Sequence, residues 1–506
     1  MTQQSNKCID EYGNIHIQDE VLGQGGQGIV FRTKDSDIAI KLVTDESGEP
    51  VQDKLKVSEY SDKLHKVQFL PLPEGLNIFM RVTILQNKAG YVMQLLSEMI
   101  PLSDFWLDGK AAKNIAKEEI PEWLSVAPES EISPIVKQII HYRNTGGLRQ
   151  RLMVLYKAAS LLSRLHGAGL VYGDISPNNI FASEGVEDLS VWLIDADNIR
   201  FETESGGAVV YTPRYGAPEI CQNKGGIKPS SDCYSFAIVA FYLLSLIHPF
   251  IGKKAEGEDG GDWADSNFDD GGDSEDMAYN GFLPWVDDQN DDTNSSKNGL
   301  PRPLILTDKL KTLFESTFEQ GRKDPSARPP SHYWPEAFAQ AADETVVCCE
   351  CNMSFYHDVI DPETEMHSCP YCKSPRPKII MFKSYRWSES NELLEPSCWQ
   401  YIREVNNDSK ITIPRRVFGD FMMTTSDERV IDVTVSENSI LIEKIDYDNG
   451  IDLLVATSDH NEKKFQKIQS KAKVEINQKS SSPSFWLFSD SDSSRLVSCL
   501  IIKGGR

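Results

Sequence analysis

Asp174 and Asn179 lie five residues apart in Tyr172-Gly173-Asp174-Ile175-Ser176-Pro177-Asn178-Asn179. Asp195 follows at the end of an apolar run, Val191-Trp192-Leu193-Ile194. Two carboxylates and a carboxamide at this spacing suit phosphoryl transfer. One carboxylate would stand beside an attacking hydroxyl, while the Asn and the second carboxylate would hold a Mg²⁺ that bridges nucleotide phosphates. Alone the loop says little, because Asp, Asn, Ser and Pro are ordinary turn residues. Its meaning depends on the elements on either side.

Upstream, Gly23, Gly25 and Gly28 form Gly-x-Gly-x-x-Gly, with Val30 two residues on. In a dinucleotide fold this motif opens a helix. Here Ile29, Val30 and Phe31 follow, then a Lys-Asp-Ser-Asp turn and a second strand through Ile38, Ala39, Ile40 and Lys41. That order predicts a hairpin lid over phosphates, with Lys41 reaching the α- and β-phosphates. Residues 90–96 predict an apolar strand whose end suits an adenine ring. Met93 would sit behind the ring, and the backbone from Gln94 to Leu96 would bind its edge.

Downstream, residues 148–166 repeat Leu152, Leu155, Ala159, Leu162 and Leu165 at helical spacing and lead into the loop. Ala217-Pro218-Glu219 follows Asp195, and Thr212 to Tyr215 would shape a shelf for a substrate hydroxyl. Asp232 stands where it could cap an apolar helix. Arg328 is the expected buried partner of Glu219, a structural pair.

In this order the features resemble a eukaryotic-type protein kinase catalytic domain over residues 15–345. The resemblance implies an N-lobe over about 15–96 and a C-lobe over about 97–345 with an acidic insertion at 251–300. It implies ATP and Mg²⁺ as cofactors and Asp174, Lys41, Asn179 and Asp195 as the catalytic set. Gly23, Gln24, Gly25, Gly26, Gln27, Gly28, Val30, Ala39, Met93, Gln94 and Leu96 would line the nucleotide. Residues 51–69 would form the helix whose glutamate pairs with Lys41, and Glu59 is the candidate. Three departures stand out. Tyr172-Gly173-Asp174 replaces His-Arg-Asp, which argues against switching by a phosphorylated activation loop. Asp195-Ala196-Asp197 replaces Asp-Phe-Gly. Ser176 replaces the lysine that steadies the γ-phosphate, which implies slow turnover or a charge from elsewhere.

The chain has 506 residues, room for two or three domains, and a net charge of −24 with a pI near 4.9. That balance disfavours nucleic acid or an anionic membrane as partner. No run approaches the roughly eighteen apolar residues of a membrane span, and no signal peptide is visible, so a cytoplasmic location is expected. Between Glu256 and Asp292 there is no Lys or Arg. A solvated loop is expected there, with Trp263, Phe268 and the run Phe282 to Val286 docking in part.

Five of the ten cysteines fall between Cys348 and Cys372. Cys348-x-x-Cys351 and Cys369-x-x-Cys372 match the spacing of a structural Zn²⁺ ribbon over 346–376, with Cys349 extra and His357 and His367 unnecessary. Residues 377–506 carry short strand-like runs from Lys410 onward separated by turn residues, which predicts a β-sandwich or barrel serving interaction. The expected fold class is therefore α+β, a bilobal kinase fold followed by a zinc ribbon and a mainly-β domain.

This layout, with His248 to Lys254, Leu283 to Asp288 and Gly321 to Arg328, resembles a bacterial kinase group associated with tellurite-resistance-type operons. Besides a protein substrate, that resemblance implies a metal-dependent Ser/Thr phosphatase and a von Willebrand A protein as partners. The leading expectation is a Ser/Thr protein kinase. The alternative is a nucleotide-binding pseudokinase scaffold, motivated by Gly173, Ser176 and Ala196. A small-molecule kinase is a third reading, against which Ala217-Pro218-Glu219 and Arg328 count.

Overall fold

The computed structural model describes residues 6–505 except 26–27, 46, 80–81, 97, 108–114, 116–119, 125–133, 184, 186–188, 204–210, 257–272, 388–392, 407, 420–426, 446–452, 458–464, 477–481 and 490–494. Six strands form one antiparallel sheet in the order β1-β2-β3-β4-β6-β5: β1 (Lys7–Ile9), β2 (Ile15–Gly25), β3 (Gly28–Thr33), β4 (Ile38–Leu42), β5 (Thr83–Ile84) and β6 (Gly90–Gln94). Gly25 pairs with Gly28 at the tip of the β2–β3 hairpin. Gly28 must be glycine, because a Cβ there would lie 2.3 Å from the Leu42 carbonyl oxygen.

Helix α1 (Lys54–Gln68) starts at Asp53, whose side chain accepts from the Leu55 and Lys56 amides at 2.9 and 3.0 Å. Tyr60, Leu64 and Val67 repeat at helical spacing on its inner face. Tyr60 and Leu64 pack against Tyr91 and Met93 of β6.

The second lobe is helical. It contains α2 (Pro134–Asn144), α3 (Gly147–Gly167), α4 (Pro229–Ser245), α5 (Asp308–Phe318) and α6 (Tyr333–Asp343). Helices α3 and α4 are buried along most of their length. Short strands in this lobe carry the functional loops: β7 (Met99–Pro101), β8 (Leu170–Val171), β9 (Ile180–Ser183), β10 (Val191–Leu193) and β11 (Arg200–Phe201). Leu283, Trp285 and Val286 are buried, with Trp285 edge-on to Phe241 at 5.6 Å, while Phe282 is exposed. The docking expected of that run is therefore met in all but its first residue. Trp263 and Phe268 lie outside the described residues.

Strands β12 (Thr345–Val347) and β13 (Ser354–Tyr356) pair around the first cysteine knuckle. The C-terminal part is a two-sheet antiparallel sandwich. One sheet has β14 (Ile379–Trp387), β15 (Leu393–Glu404), β19 (Leu453–Thr457), β20 (Gln466–Lys467), β22 (Phe485–Ser489) and β23 (Arg495–Ile502), in the order β15-β14-β23-β22-β19-β20. The other runs β16-β17-β18-β21: β16 (Ser409–Pro414), β17 (Arg429–Val435), β18 (Ser439–Lys444) and β21 (Lys471–Glu475). The strands expected from Lys410 onward are present, and β14 and β15 precede them.

These parts share one core. Buried side chains continue from Leu148 and Leu152 of α3 through Met353 and Phe355 to Phe382 and Phe485. Buried ion pairs cross the same boundary. Arg149 of α3 forks onto Glu404 at 2.9 and 2.8 Å and donates to the Thr345 hydroxyl at 2.9 Å. Asp343, fully buried at the end of α6, accepts two 2.8 Å bonds from Arg416 and one of 3.0 Å from Trp399. The ribbon and the sandwich are thus built onto the helical lobe.

Candidate nucleotide and phosphoryl-transfer site

Lys41 and Tyr91 are direct cross-strand partners on β4 and β6, so both side chains leave the same face of the sheet. They converge on one carboxylate oxygen. Lys41 Nζ lies 2.6 Å from Asp195 Oδ1, and the Tyr91 hydroxyl donates to the same oxygen at 3.1 Å. Burial opposes the ammonium charge, but Asp195 and then Asp197 outweigh it and hold Lys41 above its usual range. Burial, reinforced by Asp195, keeps the Tyr91 phenol neutral. Ala39 and Met93 form the next pair on this face. Ala39 is fully buried and Met93 half-buried, so both can wall a flat ring.

Strand β10 delivers Asp195 from the other lobe. Its backbone sits at φ 55°, ψ 47°, a left-handed conformation that Asp tolerates better than most residues. Strand β8 delivers Tyr172, Gly173 and Asp174. Gly173 has φ +85°, which explains why no arginine stands there. The Tyr172 hydroxyl donates to the Ile194 carbonyl, tying this loop to the residue before Asp195. The Ile194 amide in turn donates to the Asn179 carbonyl at 2.9 Å.

Asp174 is held on both oxygens. Thr212 Oγ1 donates to Oδ1 at 2.7 Å, and Asn179 Nδ2 donates to Oδ2 at 3.2 Å and to the Asp174 carbonyl at 2.9 Å. With its amide nitrogen so used, Asn179 keeps its Oδ1 as an acceptor. Asp195 Oδ2 is the matching carboxylate oxygen. A carboxamide oxygen and a carboxylate oxygen are donors of the type Mg²⁺ takes. Ser176 is buried and offers no charge.

Glu59 is not where it was expected. It is exposed on α1, and Lys41 pairs with Asp195 instead. The reason is helical phase: Tyr60, Lys63, Leu64 and Val67 share the inner stripe, and Glu59 lies outside it, about 100° from Tyr60. Tyr60 and Lys63 are the α1 residues that reach the site. The steps of four and three from Tyr60 to Leu64 to Val67 are the sequence signal for that face. Gly26 and Gln27 of the lid lie outside the described residues. Gly23, Gln24 and Gln94 are exposed, and Val30 and Leu96 are half-buried.

Asp232 does not cap its helix as expected. The helix cap is Lys228, followed by Pro229. Asp232 lies inside the first turn, and its buried carboxylate accepts from the Tyr172 and Gly173 amides at 2.7 and 2.9 Å and contacts His166 Nε2 at 3.0 Å. It therefore fixes the backbone that presents Asp174. Glu219 and Arg328 form the expected pair, bidentate with both bonds at 2.7 Å. His248 supports the shelf: its Nδ1 accepts from the Phe250 amide at 3.2 Å, so Nε2 donates to the Arg214 carbonyl at 3.1 Å. Burial lowers His248 to about 4.

At the other end of the lobe, the sulfurs of Cys348, Cys351, Cys369 and Cys372 lie within 4.8 Å of one another. The Cys348–Cys372 and Cys351–Cys369 separations are 3.5 and 3.6 Å. Four sulfurs about 2.3 Å from a tetrahedral Zn²⁺ would stand nearly this far apart, so the donor set fits zinc with no fifth, open position. Ser374 Oγ lies 3.1 Å from both Cys348 and Cys372. Cys349 is exposed, and neither His357 nor His367 joins the cluster.

Residues 122–270 match the family model described as "Protein kinase domain". The matched segment contains Asp174, Asn179, Asp195 and Glu219, and leaves out the glycine hairpin, Lys41 and Arg328. Among curated proteins, the chain is 30% identical over 169 residues to the Serine/threonine-protein kinases drp72 of Corynebacterium efficiens, covering 30% of this chain and 32% of that protein. It is 35% identical over 98 residues to the Serine/threonine-protein kinase PknL of Mycobacterium tuberculosis, 19% of this chain and 24% of PknL. It is 30% identical over 109 residues to human Ribosomal protein S6 kinase alpha-4, 21% of this chain and 14% of that protein. The chain thus spans a third or less of these relatives.

Proposed function

We propose that the chain is an ATP- and Mg²⁺-dependent protein kinase that transfers the γ-phosphoryl group to a Ser or Thr hydroxyl of a partner protein or of itself. The observation that carries this reading is the meeting of Lys41, from the sheet, with Asp195, from the helical lobe, beside the clamped Asp174–Asn179 loop. The matched kinase segment supports it from the sequence side. Bound Mg²⁺ would neutralise phosphate charge in the transition state. Asn179 Oδ1 and Asp195 would hold that ion, and Lys41 would turn from Asp195 to the α- and β-phosphates. Asp174, oriented by Asn179 and Thr212, would accept the proton of the attacking hydroxyl. The Glu219–Arg328 pair would keep the shelf rigid beneath the substrate. Cys348, Cys351, Cys369 and Cys372 would hold a structural Zn²⁺, and the sandwich would serve interaction.

No described helix is long and apolar enough to cross a membrane, and we place the activity in the cytoplasm, in a bacterial signalling system. The resemblance of the layout adds a metal-dependent Ser/Thr phosphatase and a von Willebrand A protein as partners to try. Incubation of the purified chain with ATP, Mg²⁺ and proteins of those two kinds, followed by intact-mass and fragment analysis, tests the reading. Phosphate on a Ser or Thr side chain supports it. ATP–Mg²⁺ binding with no transfer to any protein would favour the scaffold reading, which the buried Ser176 and the exposed Glu59 motivate.

A further inference from the structure

The turn that carries Asp195 is gripped from α1. The Tyr60 hydroxyl donates to Asp197 Oδ2 at 2.9 Å, and Lys63 Nζ donates to Asn198 Oδ1 at 2.9 Å. Both donors lie on the stripe of α1 that packs against the sheet bearing Lys41. Asp197 is 7% exposed, and its Oδ1 is buried with no hydrogen-bond partner among the described residues. A buried carboxylate with so few donors depends heavily on each one. Meanwhile Asp195 holds a left-handed backbone, which a non-glycine residue keeps only where its surroundings fix it.

In the family pattern, two devices join the helix to the metal site: a glutamate on the helix paired with the strand lysine, and an aromatic ring after the metal-binding Asp. This chain has neither in place. Glu59 is exposed, and Ala196 follows Asp195. We propose that Tyr60 and Asp197 are positioning residues whose hydrogen bond takes over this coupling, so that the seat of α1 sets the orientation of Asp195 toward its cation. Lys63 and Asn198 form the second strap of the same latch. The inference rests on the reading of Asp195 as a Mg²⁺ ligand.

The test uses the full-length chain with Tyr60→Phe, Asp197→Asn and the double variant. Tyr60→Phe removes one oxygen and keeps the ring, so the fold should survive. Two readouts are taken. The first is the Mg²⁺ concentration that half-saturates binding of a fluorescent ATP analogue. The second is amide hydrogen exchange over 54–68 and 194–199. A latch predicts a roughly ten-fold higher Mg²⁺ requirement in each single variant, the scale of a lost charge-assisted hydrogen bond. The double variant should be no worse than the weaker single one, and exchange should rise in both segments together. An unchanged Mg²⁺ requirement, or exchange that rises in α1 alone, overturns the proposal. If the wild-type chain binds no nucleotide, the kinase reading falls, and the exchange readout alone still decides whether α1 and the Asp195 turn are coupled.

Discussion

Lys41 and Asp174 carry different parts of the proposed chemistry, and their loss should look different. Lys41→Ala should abolish transfer and weaken ATP binding, because the ammonium that balances phosphate charge is gone. Asp174→Asn should leave ATP binding near normal and lower turnover by roughly a thousand-fold or more; labelled-ATP transfer and nucleotide titration separate the two. His248 gives a pH prediction. Its folded value is about 4 against an ordinary 6.5. Between these the unfolded chain binds the extra proton, so stability falls as pH drops from about 6.5 toward about 4. His248→Gln should flatten that part of the melting-temperature profile; an identical slope in both proteins would count against it. At this scale the Glu219–Arg328 pair and the placement of Asn179 beside Asp174 were legible, since fixed spacings and residue types name them. Asp232 was visible as a residue, but its role was not. Whether an Asp near a helix start caps that helix or reaches a distant loop depends on where the chain folds back.

Among the elements, α1 shows why Glu59 was misplaced. A glutamate eighteen residues past Lys41 fits the spacing, but a helix exposes most of its circumference and only the apolar stripe says which part turns inward. Tyr60, Leu64 and Val67 define that stripe here. Strands β14 and β15 were missed for a related reason. Ile379 to Phe382 is apolar without alternation, and β15 contains Pro396, so neither shows a clean period of two. The loop that bears Asp174 yields a prediction at this scale. Asp232→Ala removes the acceptor for the Tyr172 and Gly173 amides. It should lower kcat roughly ten- to hundred-fold through misplacement of Asp174, with KM for ATP little changed. A raised KM for ATP with kcat unchanged would place its effect on binding instead.

Across the whole molecule, the shared core joins the C-terminal third to the lobe that carries Asp174 and Asp195. Asp343 is surrounded by Arg403, Arg416 and Trp399. Replacing it by Ala leaves buried Arg416 with Asp427 as its remaining carboxylate partner and should cost about 3 kcal/mol, read as a shift in chemical denaturation. Composition suggested separate modules, because length and cysteine spacing say nothing about what packs on what; Arg149 and Glu404 are 255 residues apart in sequence. Zinc should matter in the same way. Chelation, or Cys369→Ser, should lower the melting temperature of the entire chain in one transition, and a separate early transition would show the ribbon to be independent. The central claim concerns the two lobes acting together on a nucleotide. Its most direct measurement is transfer of label from γ-labelled ATP with Mg²⁺ to a protein side chain, run beside Asp174→Asn. The account predicts label on Ser or Thr with the wild-type chain and, with the variant, labelling slower by roughly a thousand-fold or more. Equal labelling by both proteins, or tight ATP–Mg²⁺ binding without label on any protein, would contradict it.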